Sequence, residues 1–343
     1  MDTTAADNGS PVVVDRGGDA RPVALVAGAS RGLGLLIARE LAARGCRTVV
    51  CARHRDELDR AVTLMRHWGH HSDSYVCDVS DHEAVEELVA RIARDVGVVE
   101  VAVHVAGIIQ VGPLASLRRE HFEEAIGTMA WGPVNLALAV LPGMRSLGRG
   151  RIATIASIGG MVSVPHLLPY SMAKFAAVGF SQGLRAELAG SGITVTTVVP
   201  GLMRTGSHLR ATFTGSQQKE YAWFAPAASI PLVSMDAERA AAKIVEGVLR
   251  GRSTILLTPL TKVGARLGGV APATTTAVMS ACARLLPSAP PGLARTIDGQ
   301  DARRMLNSRI VEGLTTLGTG AARRFNEIRI RRAGAGLGSR PSG

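Results

Sequence analysis

The stretch that decides the fold is Pro22-Val-Ala-Leu-Val-Ala-Gly28-Ala-Ser-Arg-Gly32-Leu-Gly34. Its apolar run predicts a buried strand, and the following GLLIARELAARG has the spacing of an amphipathic helix. Between them lies G-x-x-x-G-x-G, whose glycines allow a tight turn and a close approach of the backbone to a pyrophosphate. The N-terminus of the next helix offers free N–H groups and a partial positive charge. The loop therefore predicts a dinucleotide site, and the alternative is a tight turn that binds no ligand.

The chain repeats this strand–helix rhythm as far as residue 258. CRTVVCAR, VEVAVHVAG, GRIATIAS and ITVTTVVPG are apolar strands that helical segments separate. Continuous apolar strands are typical of a sheet that is covered on both faces. We therefore predict the α/β class, as a Rossmann-type doubly wound parallel sheet with helices on both faces, plus a helical C-terminal extension. The expected divisions are a disordered lead-in at 1–20, a dinucleotide-binding catalytic domain at 21–258, and a helical extension with a basic tail at 259–343.

Composition excludes several classes of function. The chain has 343 residues, of which 46% are hydrophobic and only 3% aromatic, so it can bury a large core but offers little for stacking on nucleic-acid bases. The acidic N-terminal segment has no apolar core, and no run of about eighteen apolar residues exists, so we expect a cytoplasmic protein without a signal peptide or spanning helix. The cysteines lack metal-ligand spacing, so we predict no metal site and small core thiols in a reducing compartment. They are Cys46, Cys51, Cys77 and Cys282.

Basic residues are concentrated near the C-terminus. The formal net charge is +11, and the segment from Asp301 to the end contains nine arginines and only three acidic residues. This tail either contacts phosphates or an anionic membrane surface, or is simply solvated. Residues 260–286 are predicted to form amphipathic helices whose Lys262, Arg266 and Arg284 would allow weak peripheral membrane contact, although packing on the core is the simpler expectation. Every motif precedes residue 252, so we expect the cofactor site to form without the extension.

The end of the second strand indicates which dinucleotide binds. An acidic residue there would accept a hydrogen bond from the ribose 2′-OH, whereas a basic residue would pair with a 2′-phosphate. The strand ends Cys51-Ala52-Arg53 without an acid, and Arg31 lies inside the glycine loop. Two guanidinium groups near one phosphate favour NADP(H), with NAD(H) as the alternative. Asp78 ends the third strand, where its carboxylate would either accept from the adenine amino group or cap the next helix.

A phenol and an ammonium lie four residues apart at Tyr170 and Lys174, on one face of a predicted helix. Ser157 precedes the tyrosine by thirteen positions, and Pro200-Gly201 follows the next predicted strand. With the glycine loop, this pattern resembles the short-chain dehydrogenase/reductase family over residues 20–255, and the longer run around Tyr170 resembles its bacterial members with a C-terminal extension. The resemblance implies an oxidoreductase that moves hydride between nicotinamide and a carbonyl or alcohol.

The resemblance also implies a role for each site residue. Tyr170 would protonate the carbonyl oxygen, or take the alcohol proton in reverse, and a nearby ammonium on Lys174 is expected to lower the phenol pKa from about 10. Lys174 would also bond the nicotinamide ribose, Ser157 would hold the substrate oxygen, and Thr205 would bond the carboxamide. The predicted cofactor-binding residues are Gly28, Ser30, Arg31, Gly32, Leu33, Gly34, Arg53, Asp78, Val79, Ala106, Gly107, Tyr170, Lys174, Pro200, Gly201 and Thr205.

Two positions depart from the family pattern. Val105 stands where the family commonly has asparagine before Ala-Gly, which removes only one polar side chain. Met129 stands where the family usually has an asparagine that holds a water and relays protons to the lysine, and a thioether donates no hydrogen bond. Asn135 lies six residues further on, too far along the helix to substitute simply. We predict an enzyme, with a catalytically impaired NADP(H)-binding or regulatory protein as the alternative.

Residues 202–232 interrupt the strand–helix rhythm and would cover the active site. Their large apolar side chains predict a lid over a hydrophobic ketone, aldehyde or secondary alcohol. They are Met203, Tyr221, Trp223, Phe224 and Pro226. The alternative is a segment that packs on the sheet or on another subunit. Many members of the family are dimers or tetramers, so the resemblance also implies a homo-oligomer.

Overall fold

The computed structural model describes residues 21–231, 233–289 and 295–328. The predicted lead-in at 1–20 and the last part of the basic tail lie outside the described residues. The strands of the described part are β1 Val23–Ala27, β2 Arg47–Ala52, β3 Ser72–Val76, β4 Val99–His104, β5 Gln110–Val111, β6 Gly150–Ile155, β7 Ile193–Val199, β8 Met203–Arg204, β9 Thr212–Phe213, β10 Met235–Asp236, β11 Thr254–Leu256 and β12 Ile297–Asp298. Its helices are α1 Gly32–Ala43, α2 Arg55–His67, α3 His82–Asp95, α4 Arg119–Ile126, α5 Gly132–Ser146, α6 Leu168–Glu187, α7 Gln217–Ala227, α8 Ala237–Leu249, α9 Pro259–Val270, α10 Pro272–Ala283, α11 Gly299–Leu306, α12 Arg309–Leu314 and α13 Thr316–Arg324.

Seven of these strands form one parallel sheet in the order β11-β7-β6-β4-β1-β2-β3. The chain runs from β1 through β2 to β3 and then crosses back to β4, on the other side of β1. Such a reversal opens a crevice at the carboxyl ends of the strands, which is where open α/β sheets bind ligands. The predicted Rossmann-type doubly wound sheet is confirmed.

Helices cover both faces of this sheet because its strands are apolar on both sides. β1 is buried at all of its five positions. On one face, α1 and α8 contribute the fully buried Leu36 and Ile244 to a common cluster. On the other face, Leu88 of α3 and Leu141 of α5 belong to a second cluster. Each fully buried side chain of this size stabilises the fold by about 1.5–3 kcal/mol.

The cysteines follow the prediction with one exception. Cys46, Cys51 and Cys77 are buried, and burial raises the pKa of the Cys77 thiol to about 11. Cys282 is exposed, because it lies on α10, where no residue is buried. Within the described ranges, no three His, Cys, Asp or Glu side chains are grouped as ligands for a metal ion.

The apolar spacing of residues 119–144 predicts one long helix, but a π-helical turn divides it. α4 and α5 flank this turn, which spans Gly127–Trp131. A Cβ atom at Gly132 would overlap Nε2 of His104, so glycine lets α5 start close to the end of β4. π turns insert an extra residue into a helix and are frequent at functional sites. In the described part of the chain, Arg119–Ser146 is the helical stretch that is long and apolar enough to cross a membrane, but 56% of its apolar window is buried, as in a core helix.

The C-terminal extension is helical, as predicted, and packs on the rest of the chain. β12 pairs antiparallel with β9, and β9 pairs in parallel with β5, so the extension completes a small three-stranded sheet. α11 and α12 pack on α7, while α9 packs beside residues 158–160. The extension therefore supports the predicted lid, of which α7 is the main helix.

Candidate active site

The glycine loop joins β1 to α1 in the conformation that its sequence predicts. Gly28 has a φ of 87° and Gly32 a φ of 54°, in the left-handed region that favours glycine. A Cβ atom at Gly28 would overlap the backbone of Ala106, and one at Gly34 would overlap the carbonyl of Gly28. The loop lies on the wall of a cavity of about 420 Å³. This glycine cradle beside the start of a helix fits a dinucleotide.

Two elements bring the predicted catalytic residues together on the same cavity. Ser157 follows β6, and Tyr170 and Lys174 lie one turn apart on α6. The Oγ atom of Ser157 accepts a hydrogen bond from Gly159 N at 3.1 Å and shares another with the Tyr170 phenol. Lys174 Nζ lies 5.8 Å from the centre of the Tyr170 ring and donates to the carbonyl of Ile155 at 2.7 Å. The arrangement places a hydroxyl, a phenol and an ammonium side by side.

Burial controls the protonation of the tyrosine–lysine couple. The Lys174 ammonium is 4% exposed, and the loss of hydration lowers its pKa to about 8. Burial also raises the pKa of the Tyr170 phenol, and the hydrogen bond with Ser157 acts against this rise. The phenol pKa is therefore raised overall, in contrast to the lowering predicted from the nearby ammonium. Desolvation dominates, and the ammonium is bonded to the Ile155 carbonyl.

Met129 packs against the catalytic helix. It is 1% exposed, lies in the π turn, and shares a small apolar cluster with Ala173 and the ring of Tyr170. Its Sδ atom also lies next to Gly107, on the side where Lys174 Nζ approaches. Met129 thus fills the space beside the lysine with apolar atoms and supplies no hydrogen-bond donor there.

Two buried polar residues flank the π turn. His104, at the end of β4, is 1% exposed and hydrogen-bonds to the backbone of Thr128 inside the turn. Burial, and then the charge of Lys174, lower its pKa to about 3, so the ring is neutral at neutral pH. Asn135 Nδ2 donates to the carbonyl of Val79 at 3.0 Å. This amide therefore ties α5 to the segment after β3 and does not replace the missing asparagine.

The two arginines predicted to contact a 2′-phosphate have different surroundings. Arg53 is exposed and lines the cavity. Arg31 also lines it, but its guanidinium pairs with the carboxylates of Glu57 and Glu327, the latter at 3.3 Å from Nε. The expected pair of guanidinium groups on one phosphate is therefore not set up in this structure. The sequence pattern did not associate either carboxylate with the loop.

Asp78 lines the cavity but does not cap the next helix. Its Oδ1 atom accepts hydrogen bonds from Ser80 N at 3.0 Å and Ser80 Oγ at 2.8 Å. The N-cap of α3 is Asp81, whose side chain accepts from Ala84 N. The adenine contact of Asp78 stays a prediction.

The structure places nearly all predicted cofactor residues on the one cavity. Besides those already described, the wall contains Ser30, Leu33, Gly34, Val79, Ala106, Gly107, Pro200, Gly201 and Thr205. Gly32 is the exception, because the side chain of Glu327 lies directly over it. The cofactor roles of these residues stay predictions.

The predicted lid covers the cavity with three of its five named side chains. Met203, Trp223 and Phe224 line the wall. Tyr221 is fully buried behind it and packs on Phe213 with ring centres 5.5 Å apart, and burial raises its phenol pKa to about 12. Pro226, which lies within α7, is also absent from the wall. The lid therefore has its own core, and only one face of α7 meets the cavity.

Several residues around the cavity carried no recognised sequence signal. His166 Nδ1 lies 2.9 Å from Glu220 Oε2, and Trp223 Nε1 donates to the same oxygen at 2.8 Å. The buried Glu220 thus ties the loop before α6 to the lid, and its sequence context gives no signal of this, because it follows the polar run Ser216-Gln-Gln-Lys219. Thr258 and Thr261, at the start of α9, also line the cavity. Thr261 shows that the extension borders the cavity.

Proteins of similar sequence point to one family. A family model described as short chain dehydrogenase matches residues 22–212. The chain is 42% identical over 188 residues to a protein named as ketoacyl reductase 1 of the granaticin polyketide synthase from Streptomyces violaceoruber, across 54% of this chain and 69% of that protein. It is 33% identical over 183 residues to the 3-oxoacyl-acyl-carrier-protein reductase FabG of Escherichia coli, across 53% of this chain and 74% of FabG.

Solved structures show the same likeness. A variant of actinorhodin polyketide ketoreductase with NADPH has a TM-score of 0.62 and 30% identity, and the match covers 70% of this chain and 97% of that one. A short-chain dehydrogenase from Streptomyces avermitilis has a TM-score of 0.65 and 27% identity, with 78% and 98% covered. The family match ends at residue 212, so α7 and the extension lie outside it. The chain belongs to the short-chain dehydrogenase/reductase family, whose members are NAD(P)-dependent oxidoreductases.

Proposed function

We propose that this enzyme is NADP(H)-dependent and transfers hydride between nicotinamide and an apolar ketone or aldehyde, or the corresponding secondary alcohol. The observation that carries the proposal is the convergence of Ser157, Tyr170 and Lys174 on a mainly apolar cavity that extends to the glycine loop. Carbonyl reduction needs a proton donor beside the carbon that receives hydride, and this constellation supplies one.

A bound nicotinamide would supply or accept the hydride, and the side chains would manage the oxygen and its proton. Ser157 would hold the carbonyl oxygen next to Tyr170, with which it already shares a hydrogen bond. Tyr170 would donate its phenol proton to that oxygen as negative charge develops there. Lys174, with a pKa of about 8, is mostly charged at neutral pH and would stabilise the phenolate that remains.

The preference for NADP(H) rests on the residues after β2. Arg53 lines the cavity, the last residue of β2 is Ala52, and a basic side chain at this point suits a 2′-phosphate. The actinorhodin ketoreductase relative was solved with NADPH. NAD(H) is the alternative cofactor, because Arg31 is engaged by Glu57 and Glu327.

The cavity wall and the relatives together suggest the substrate class. The cavity wall near Tyr170 is apolar. It is formed by Trp223 and Phe224 of the lid and by Val164 and Leu167, which precede α6. The granaticin and Escherichia coli relatives are named as ketoacyl reductases. We therefore place 3-oxoacyl thioesters and aromatic ketones first among candidate substrates, in either direction of the reaction.

The setting of the enzyme is also a proposal. We infer a bacterial, cytoplasmic homo-oligomer from the family resemblance. Weak peripheral membrane contact through α9 and α10 is part of the same proposal, because no residue of α10 is buried and residues 267–283 carry no charged side chain.

The second candidate function is a protein that binds NADP(H) without efficient turnover. Met129 favours it, because an apolar side chain occupies the position where the family usually holds a relay water. Loss of one acid–base element typically costs about 10²–10⁴-fold in rate. Since Tyr170 itself is present and hydrogen-bonded to Ser157, we favour the active enzyme.

A cofactor titration followed by a carbonyl panel tests the proposal. Binding is followed through the fluorescence of Trp223, which lines the cavity, and turnover through loss of NADPH absorbance. We expect NADPH to bind at least about tenfold more tightly than NADH, or about 1.4 kcal/mol, and one or more apolar carbonyls to consume it. NADPH binding with no turnover across the panel would support the second candidate. Binding of neither dinucleotide would contradict both.

A further inference from the structure

The described end of the chain lies on the glycine loop. α13 ends at Arg324, and the next three residues cross the start of α1. Phe325 is 2% exposed and belongs to the core cluster that contains α1. Its carbonyl accepts a hydrogen bond from Gly32 N at 2.8 Å. This N–H is one of the unpaired donors at a helix N-terminus that make such a loop attractive to phosphate.

Asn326 attaches the same segment to two further elements. Its Nδ2 atom donates to the carbonyl of Ser30 at 2.8 Å and to that of Glu57 at 3.1 Å. Its Oδ1 atom accepts from Arg60 Nε at 2.9 Å. The residue has a φ of 60°, a left-handed conformation that asparagine tolerates better than most residues. The segment is therefore specifically docked on the loop and on α2.

Glu327 places a carboxylate where the loop should hold an anion. Its Oε2 atom lies 3.3 Å from Arg31 Nε and 3.9 Å from Arg210 Nε, and the side chain lines the cavity. A Cβ atom at Gly32 would overlap its Oε1 atom, so the carboxylate lies against the first residue of α1. The positive end of the helix dipole stabilises negative charge at this place.

The cluster around this carboxylate balances two acids against two bases. Glu57 pairs with Arg31 and, at 3.0 Å, with Arg210. Burial tends to raise the pKa of Glu57, but the two arginines, together with His54 and Ser30, outweigh it and the pKa is lowered. Burial raises the pKa of Glu327, with Arg31 and Arg210 acting against the rise. Both carboxylates line the cavity, and Glu327 is the less well stabilised anion of the two.

We propose that the segment Phe325–Glu327 is an internal competitor for the phosphate groups of the cofactor, so that a dinucleotide binds only after this segment has left the glycine loop. The inference rests on the proposed NADP(H)-dependent function. A phosphate and the Glu327 carboxylate cannot use the Gly32 end of α1 and the Arg31 guanidinium at the same time, and two anions at one place repel each other. The apparent dissociation constant of the cofactor then equals the intrinsic constant divided by the fraction of molecules in which the segment is released.

Titration of tail variants with NADPH tests this competition. Glu327→Gln removes the charge, Asn326→Gly removes the amide but keeps the left-handed backbone available, and a chain ending at Arg324 lacks the segment. Each should bind NADPH at least about fivefold more tightly than the parent, the lower end of usual coupling between sites. Glu312→Gln, a substitution on α12 away from the loop, should leave the affinity unchanged. Unchanged or weaker binding by the three tail variants would overturn the inference, since it would mean that the segment stays in place or helps to hold the cofactor.

Hydrogen exchange in the parent protein gives a reading that does not depend on variant folding. Backbone amides of residues 325–328 should lose protection when NADPH is added to saturation, because the cofactor displaces them. A gain of protection would show that the segment closes over the bound cofactor and would contradict the competition. If neither the parent nor the chain ending at Arg324 binds NADPH or NADH, the proposed function itself fails; if the parent binds and the tail variants do not differ from it, only this inference fails.

Discussion

Met129 is the residue at which family pattern and local packing conflict. The thioether lies among apolar atoms beside Tyr170, and Asn135 does not take over the relay position, because its amide is bonded to the Val79 carbonyl. We expect Met129→Asn to leave the turnover number unchanged or to raise it, because it restores a polar link near Lys174. Burying the amide without partners should cost about 1–3 kcal/mol of unfolding free energy.

The turnover number and the thermal midpoint of unfolding measure these two effects separately. Met129→Leu is the matched control, because it changes the shape at the same site without adding a polar group. It should leave the turnover number at the parent value. A Met129→Asn protein that is folded but slower than both parent and control would refute the idea that the asparagine relay is merely missing.

Arg53 decides the predicted cofactor preference, because it lines the cavity and Arg31 is held by two carboxylates. Arg53→Asp should lower or reverse the preference for NADPH, since a carboxylate repels a 2′-phosphate and can accept from a ribose 2′-OH. The dissociation constants of NADPH and NADH measure the change. Arg55→Asp is the control, because Arg55 is exposed and pairs with Asp59 outside the cavity. Loss of the preference in the control as well would point to a general charge effect.

Residues that act through local spacing were predictable from the sequence, and residues that act through distant partners were not. Tyr170 and Lys174 share a helix, so their separation already placed them on one face. Arg31 was predicted as a phosphate ligand from its place in the glycine loop, but the sequence did not show that Glu327 reaches it from the other end of the chain. The phenol pKa was also misjudged, because the sequence shows the nearby ammonium but not the burial of Tyr170.

At the scale of elements, the π turn at Gly127–Trp131 is the main departure from the predicted helices. The apolar spacing of 119–144 continues through the turn, so periodicity alone predicts one helix. The irregularity depends on the fit of Gly132 against His104 and on the hydrogen bond from His104 to the Thr128 backbone. Those contacts arise only when β4 and α5 meet in the fold.

The hairpin of α9 and α10 leads to a prediction about membranes. α10 has no buried residue, and Val270 at the connection of the two helices is 87% exposed. With Lys262 and Arg266 nearby, we expect the protein to sediment with anionic vesicles at low salt and to be released at high salt, because salt screens surface attraction.

Charge-reversal variants test whether vesicle binding depends on α9 and α10 or only on the positive net charge of the protein. Lys262→Glu with Arg266→Glu should abolish sedimentation, whereas Lys243→Glu on α8 should not. Neutral vesicles should not bind the parent. If the parent fails to bind anionic vesicles at low salt, α9 and α10 have another role.

At the scale of the whole molecule, the α/β sheet could be predicted because its strand–helix rhythm is written in the sequence. The packing of the extension could not, since 259–343 has no comparable rhythm. The sequence-based expectation was a site complete without the extension. The structure places Thr261 on the cavity wall and Phe325 on Gly32, so the extension borders the site. That the cofactor site forms without the extension stays a prediction.

Two buried neutral histidines should make the stability of the protein depend on pH. Burial lowers the pKa of His104 to about 3 and that of His208 to about 4, from an ordinary value of 6.5. Below pH 6.5 the unfolded chain binds protons that the folded chain does not, so stability is lost as the pH falls from about 6.5 towards these values. Each group contributes up to about 1.4 kcal/mol per pH unit in that window.

Denaturant unfolding at pH 7 and pH 5 measures this loss. The free energy of unfolding should fall between the two, and His208→Leu should roughly halve the decrease, because it removes one of the two titrations. A free energy that is the same at both pH values in the parent would contradict the burial of neutral imidazoles. The variant also distinguishes the histidines from the carboxylates, because the carboxylates contribute equally in the parent and in His208→Leu.

The central claim is that Tyr170 supplies the proton in an NADP(H)-dependent reaction, and Tyr170→Phe tests it most directly. The measurement is the single-turnover rate of NADPH oxidation with the best carbonyl of the panel, together with the NADPH dissociation constant. We predict a loss of rate of about 10²–10⁴-fold or more, with unchanged NADPH affinity, because only the hydroxyl is removed. A Tyr170→Phe protein that oxidises NADPH as fast as the parent would contradict the account.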